Sequence, residues 1–208
     1  CMNPPKDLDI SNGGWMTQHI IPLLAIYSPK LKNLLTVVTR SHNNSKKCII
    51  VSQYLEHHGL NLVSTLLSYI GFKHLLMTKN RSLFEQISSV NDKSNNINII
   101  LMTFDQSKSI TSDILEIYDI HLLDNFEFSN ISNLLERTVK RSNYGLITSP
   151  VTVYHHFALT SNEQLNDRII NHYKQYYYDP IISKIEQYSN NLNKSLSLTI
   201  DRHFGLSV

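Results

Sequence analysis

Glycine is scarce, with six residues in a chain of 208. None of the six builds a G-x-x-x-x-G-K-[ST] phosphate loop or a G-x-G-x-x-G turn after a strand. Both motifs use glycine so that backbone N–H groups can wrap a phosphate at a helix start. Their absence removes the usual nucleotide cradle from these residues and argues against ATP hydrolysis by this chain alone. The G-x-S-x-G nucleophile elbow is also missing, so hydrolase chemistry has no support. Cysteine is rarer still: Cys1 and Cys48 are too few for a disulfide framework or a cysteine-based zinc site, and Cys48 lies in the apolar run KKCIIVSQY as a small hydrophobe. No apolar run reaches the roughly 18 residues of a membrane span, and no basic-then-apolar leader opens the chain. We therefore expect a soluble protein of a reducing compartment with no membrane partner. The opening CMNPP, already loop-like and led by Cys1, suggests a piece of something longer.

Charge of one sign is lacking too. A net charge of +2 leaves the chain faintly basic, so a nucleic-acid footprint must come from local clusters of Lys and Arg. Histidine occurs in the adjacent pairs His57-His58 and His155-His156. Neighbours on a strand face opposite ways, so neither pair offers two ligands on one face, and we expect no metal.

What is present is a regular alternation. Short apolar runs occur at KCIIVSQY, KHLLMT, INIILMT, YDIHLLD and SPVTVYHHFA, and between them lie the helical patterns SPKLKNLLTVVTR, GLNLVSTLLSYIG, RSLFEQISSV and NISNLLERTVKR. The strand candidates are continuously apolar, as strands buried on both faces are. This predicts an α/β fold with a mostly parallel central sheet flanked by helices. Ser28-Pro29 reads as a helix start and Gly71 as a helix stop. Past residue 160 the alternation ends, and two helices broken at Pro180 are expected. The organisation is then a lobe over 1–160 and a C-terminal helical appendage over 161–208. In the appendage, Tyr176, Tyr177 and Tyr178 suit helix packing better than base stacking, because only Lys174 accompanies them.

Several segments, taken in order, carry a resemblance. CMNPP followed by YSPKLKNLLTVV, the strand and Ser-Gln-Tyr turn of KKCIIVSQYLEHHGLNLVSTLLSYIGF, the strands INIILMT and YDIHLLDNFEF, and NLLERTVKR together resemble the C-terminal RecA-like lobe of Swi/Snf-type superfamily 2 ATPases over about residues 1 to 170. The resemblance implies a RecA-like lobe that binds nucleic acid, with a backbone-phosphate contact from Ser52 and Gln53 at the motif IV turn and a further nucleic-acid contact from Lys108 in the motif V loop. Arg137, Lys140 and Arg141 then occupy the motif VI position, with Arg137 the candidate arginine finger.

The departures from that pattern point away from catalysis. The motif V loop of active members is glycine-rich, whereas TFDQSKSITSDILEIYD contains no glycine. At motif VI, Glu136 stands in place of glycine and Lys140 in place of an arginine whose planar fork suits a phosphate. A decayed lobe of this kind is similar to the accessory subunits of fungal class II histone deacetylase complexes; poxvirus-type transcription ATPases share the S-P-K opening. The resemblance implies a DNA- or nucleosome-binding scaffold in the nucleus, joined to other protein subunits through its C-terminal helices and needing no cofactor. The alternative is the C-lobe of an active, ATP-using translocase, either a chromatin remodeller or an enzyme of a viral factory or virion. Three readings of Arg137, Lys140 and Arg141 stay open: cations that complement a helix dipole, phosphate contacts, and an arginine finger.

Overall fold

A computed structural model describes residues 24–25, 28–56, 59–78, 81–110, 114, 116–124, 131, 133–134 and 151–156, individual positions between 164 and 183, and the backbone of 196–201. Its strands are β1 (Lys47–Ser52), β2 (His74–Leu76), β3 (Ile99–Thr103), β4 (Ile117–Leu122), β5 (Val151–His156) and β6 (Leu196–Asp201). Every pairing is parallel, and the order across the sheet is β2-β3-β1-β4-β5-β6. The expected α/β fold with a parallel sheet and flanking helices is the one observed.

Because β1 and β3 are central, their side chains alternate between two covered faces. Ile49, Val51, Ile100 and Met102 join Ile120, Leu122 and Val153 on one side, against Val90, Phe104, Ile131 and Leu134. Cys48, Ile50, Ile99 and Leu101 point to the other side. That side is covered by α1 (Pro29–Asn43) through Leu34, Leu35 and Val38, and by α2 (Leu60–Ile70) through Leu60, Val63 and Leu67. The i, i+3, i+4 and i+7 spacing of these leucines and valines makes each helix amphipathic, so burial of that stripe holds it on the sheet.

The punctuation behaves as expected at two points. Pro29 opens α1 after Ser28, and Gly71 ends α2 in the left-handed region at φ +84°. Gly59 has a different role. A Cβ there would stand 2.1 Å from the Tyr54 carbonyl oxygen, so the loop after β1 can double back only over a bare Cα. Its return lets the Tyr54 and Leu55 carbonyls accept from the first N–H groups of α2, at 3.0 and 2.9 Å, where a helix has no partners of its own.

Helix α1 is also pinned to β4 by polar contacts at both ends. Lys30 donates to the Leu123 carbonyl and the buried Ser41 hydroxyl donates to Asp119. Eleven residues of helix cover about 16 Å and four of strand about 13 Å, so two contacts of this spacing fit an antiparallel helix lying along the strand. Burial pushes the Asp119 carboxyl up, against the opposing pull of the Ser41 hydrogen bond and of Lys46.

Two elements depart from the sequence reading. The polar segment after β3 is a helix, α4 (Phe104–Ile110), and not a loop. The third predicted helix is α3 (Leu83–Asn91). In the tail, described positions between 164 and 183 are helical, among them Pro180 and the buried Ile170, but Leu196–Asp201 is the sixth strand. The helical appendage therefore does not extend over those six residues. They run beside β5 from Val151↔Leu196 to His156↔Asp201, where backbone pairing outweighs a weak helical pattern. No helix among the described residues is long and apolar enough to cross a membrane.

Candidate functional site

In an open parallel sheet, the crevice at the carboxyl ends of adjacent strands whose connections leave in opposite directions is the place where a ligand can enter. Here β1 connects toward β2 on one side and its neighbour β4 connects toward β5 on the other, so the crevice lies between Ser52 and Leu123-Asp124. Strand β1 is buried along its whole length, and the chain comes to the surface only at Gln53.

The crevice holds a compact polar cluster. Ser52, which is 2% exposed, donates its hydroxyl to Asp124 Oδ2 at 2.7 Å. The Gln53 backbone N–H donates to the same oxygen, also at 2.7 Å. The Tyr54 N–H returns to Ser52 Oγ at 3.1 Å, so the hydroxyl both accepts and donates. From β5, His155 Nε2 lies 3.1 Å from the Asp124 carbonyl and serves as its donor. Burial pulls the Lys30 ammonium below its ordinary range, while Asp124 works to keep it charged. His155 is pulled down to about 3, mainly by burial and further by Lys30, against the hydrogen bond to Asp124. A neutral His155 donating through Nε2 fits this setting.

Of the residues singled out from sequence, Ser52 and Gln53 meet on Asp124. Lys108 stands apart on α4, paired with Asp105 at 2.9 Å and 5.0 Å from the Phe104 ring centroid, with its side chain 51% exposed. Arg137, the candidate finger, and Lys140 and Arg141 lie outside the described residues, as do His57, His58 and the tyrosine run. Lys30, Asp124 and His155 were not anticipated. Asp124 closes the apolar run YDIHLLD, and with the strand order in hand that position falls beside the end of β1.

His155 and His156 face opposite ways as a strand requires. His156 Nε2 lies 3.1 Å from His121 Nδ1, and Tyr154 and His156 stack against His121 at centroid distances of 4.8 and 5.4 Å. His121 is fully buried, which pulls it down to about 3. Among the described residues no three His, Cys, Asp or Glu side chains converge as a metal site needs.

No protein-family model and no curated protein matches the chain. Among solved structures it is similar to one described as the crystal structure of the C-terminal part of the Fun30 ATPase domain, at 12% identity and a TM-score of 0.42, over 52% of this chain. The matched region spans 36% of that structure's length.

Proposed function

We propose that this chain is a RecA-like lobe of the Swi/Snf type that has lost ATP turnover. It serves as a DNA- or nucleosome-binding scaffold, a subunit of a larger nuclear complex held to its partners through its C-terminal helices. The observation that supports this reading most is the closure of the segment after β3. Gln106 Oε1 accepts from the Thr103 N–H at 2.8 Å and from its hydroxyl at 3.1 Å, and Gln106 Nε2 donates to the Met77 carbonyl at 3.1 Å. Ser107 is buried with its hydroxyl on the Phe104 carbonyl at 2.6 Å. A tied-down helical turn thus stands where the resemblance places a glycine-rich loop that approaches phosphates with its backbone.

Contact with DNA then falls to side chains. Lys108 is held by an exposed ion pair with Asp105 and lies over the Phe104 ring; the ion pair is worth about 0–1 kcal/mol, and a DNA phosphate can replace it. Lys108, Arg137, Lys140 and Arg141 are four cations, so log affinity for duplex DNA plotted against log salt should fall with a slope of about −3 to −4. Affinity that stays flat between low and moderate salt would reject the reading. DNA-stimulated ATP turnover abolished by Arg137→Ala would replace it with a working translocase lobe.

A further inference from the structure

The donors at the end of β1 already hold an anion, and it belongs to the protein. Asp124 Oδ2 takes a hydroxyl and a backbone N–H, both at 2.7 Å, the short end of the range for charged acceptors. The Lys30 ammonium supplies the charge beside it. A hydroxyl and a backbone N–H converging on one oxygen, with an ammonium nearby on the Leu123 carbonyl, are also what a phosphate takes from a nest at a strand end. The cluster reaches solvent, because Gln53 is exposed and Asp124 half-buried.

We infer that the carboxyl ends of β1 and β4 form a binding site for a phosphate-type oxyanion, and that Asp124 occupies it as an internal competitor. Displacement of the Asp124 carboxylate frees the Ser52 hydroxyl and the Gln53 N–H for the incoming oxyanion, and Lys30 exchanges one counter-charge for another. The inference rests on the proposed Swi/Snf-type reading, whose resemblance implies a contact between the Ser52-Gln53 turn and a nucleic-acid phosphate, and adds to it a self-blocking residue. Lys30 on the Leu123 carbonyl and His155 on the Asp124 carbonyl hold the backbone of the β4 end in place, so only the side chain has to leave.

The test titrates inorganic tripolyphosphate calorimetrically into the wild-type chain, Asp124→Ala, Asp124→Asn and the Asp124→Ala/Lys30→Ala pair. Asp124→Ala should bind at least about tenfold tighter than wild type, the gain expected when one charged hydrogen-bonding competitor is removed. Asp124→Asn keeps the shape without the charge, so it reports even if the alanine variant fails to fold, and it should gain in the same direction. The double variant should lose the gain. Equal affinity in wild type and both single variants overturns the inference, as does a gain that survives loss of Lys30. Duplex DNA titrated in parallel separates the two ideas. A chain that gains tripolyphosphate on Asp124→Ala yet binds no DNA keeps the blocked site and sinks the scaffold reading. A wild type that binds DNA with the expected salt slope, and no more tightly as Asp124→Ala, keeps the scaffold and sinks the block.

Discussion

Ser52 and Asp124 lie 72 residues apart in sequence and share a hydrogen bond of 2.7 Å where β1 and β4 end side by side. The bond spans the crevice and ties its two walls together. Removing the hydroxyl by Ser52→Ala leaves Asp124 Oδ2 with the Gln53 N–H and takes the partner from the Tyr54 N–H. We expect a loss of about 1–2 kcal/mol in urea unfolding. A change below about 0.3 kcal/mol would mean that the contact contributes nothing to holding the crevice together.

A second polar contact is more demanding. Gln86, 4% exposed in α3, accepts from the Thr78 N–H at 2.9 Å and donates to the Thr78 carbonyl at 3.0 Å and to Arg81 at 3.1 Å. Its amide imitates a further strand residue at the end of β2. Gln86→Leu keeps the bulk but strands both Thr78 groups, and should cost about 2–4 kcal/mol. Gln86→Glu keeps the acceptor and turns the donor into an acceptor facing a carbonyl, so it should be no better. Unfolding midpoints of the two variants decide it; a near-neutral leucine would refute the accounting.

The two described glycines should separate crowding from strain. Gly71→Ala meets nothing within 4 Å but must hold φ at +84°, so it should cost about 1 kcal/mol. Gly59→Ala puts a methyl against the Tyr54 carbonyl and must shift the loop, so about 2 kcal/mol or more is expected. Thermal unfolding of both proteins should rank Gly59→Ala as the more damaged, and the reverse order would contradict the close approach.

Acid should loosen the fold through its histidines. His121 and His155 are each held at about 3 in the folded chain, against 6.5 when unfolded. A folded value below the unfolded one means that the unfolded state takes up the proton first. The stability is present in full above pH 6.5 and is lost as pH falls from there toward about 3, at up to about 1.4 kcal/mol per pH unit for each histidine. Asp119 runs the other way, since burial raises it and its stabilisation fades as pH rises above the unfolded value of 3.8. Urea unfolding followed from pH 7 to pH 4.5 should show the decline, and His155→Gln should flatten it. A profile unchanged by that substitution would contradict the buried neutral state of His155.

Much of the scaffold was legible. The five apolar runs became β1 to β5; in the central β1 and β3 nearly every side chain is buried on one face or the other, while β2 at the sheet edge is half-buried throughout. Three helices followed from apolar spacing, and Gly71 from its stop position. Helix α4 was not legible: FDQSKSI has little apolar period, and it is held by the tertiary hydrogen bond from Gln106 to Met77. β6 was hidden for the same kind of reason, since its pairing with β5 lies 45 residues away at Val151↔Leu196.

The candidate site divides in the same way. Ser52 and Gln53 could be named because the Ser-Gln-Tyr turn after a buried strand is one of the segments that carry the resemblance, and such a turn is a local stretch of chain. Lys30, Asp124 and His155 could not, because nothing within a few residues of any of them marks it as a neighbour of Ser52. The sequence alone determined which segments are buried, and therefore a parallel sheet between helices, because burial follows from local composition and period. Only the tertiary structure decided that β1 and β4 stand side by side with their connections leaving in opposite directions. Strand order is a property of long-range packing, and that order is what brings a lysine, a serine and an aspartate from distant parts of the chain onto one crevice.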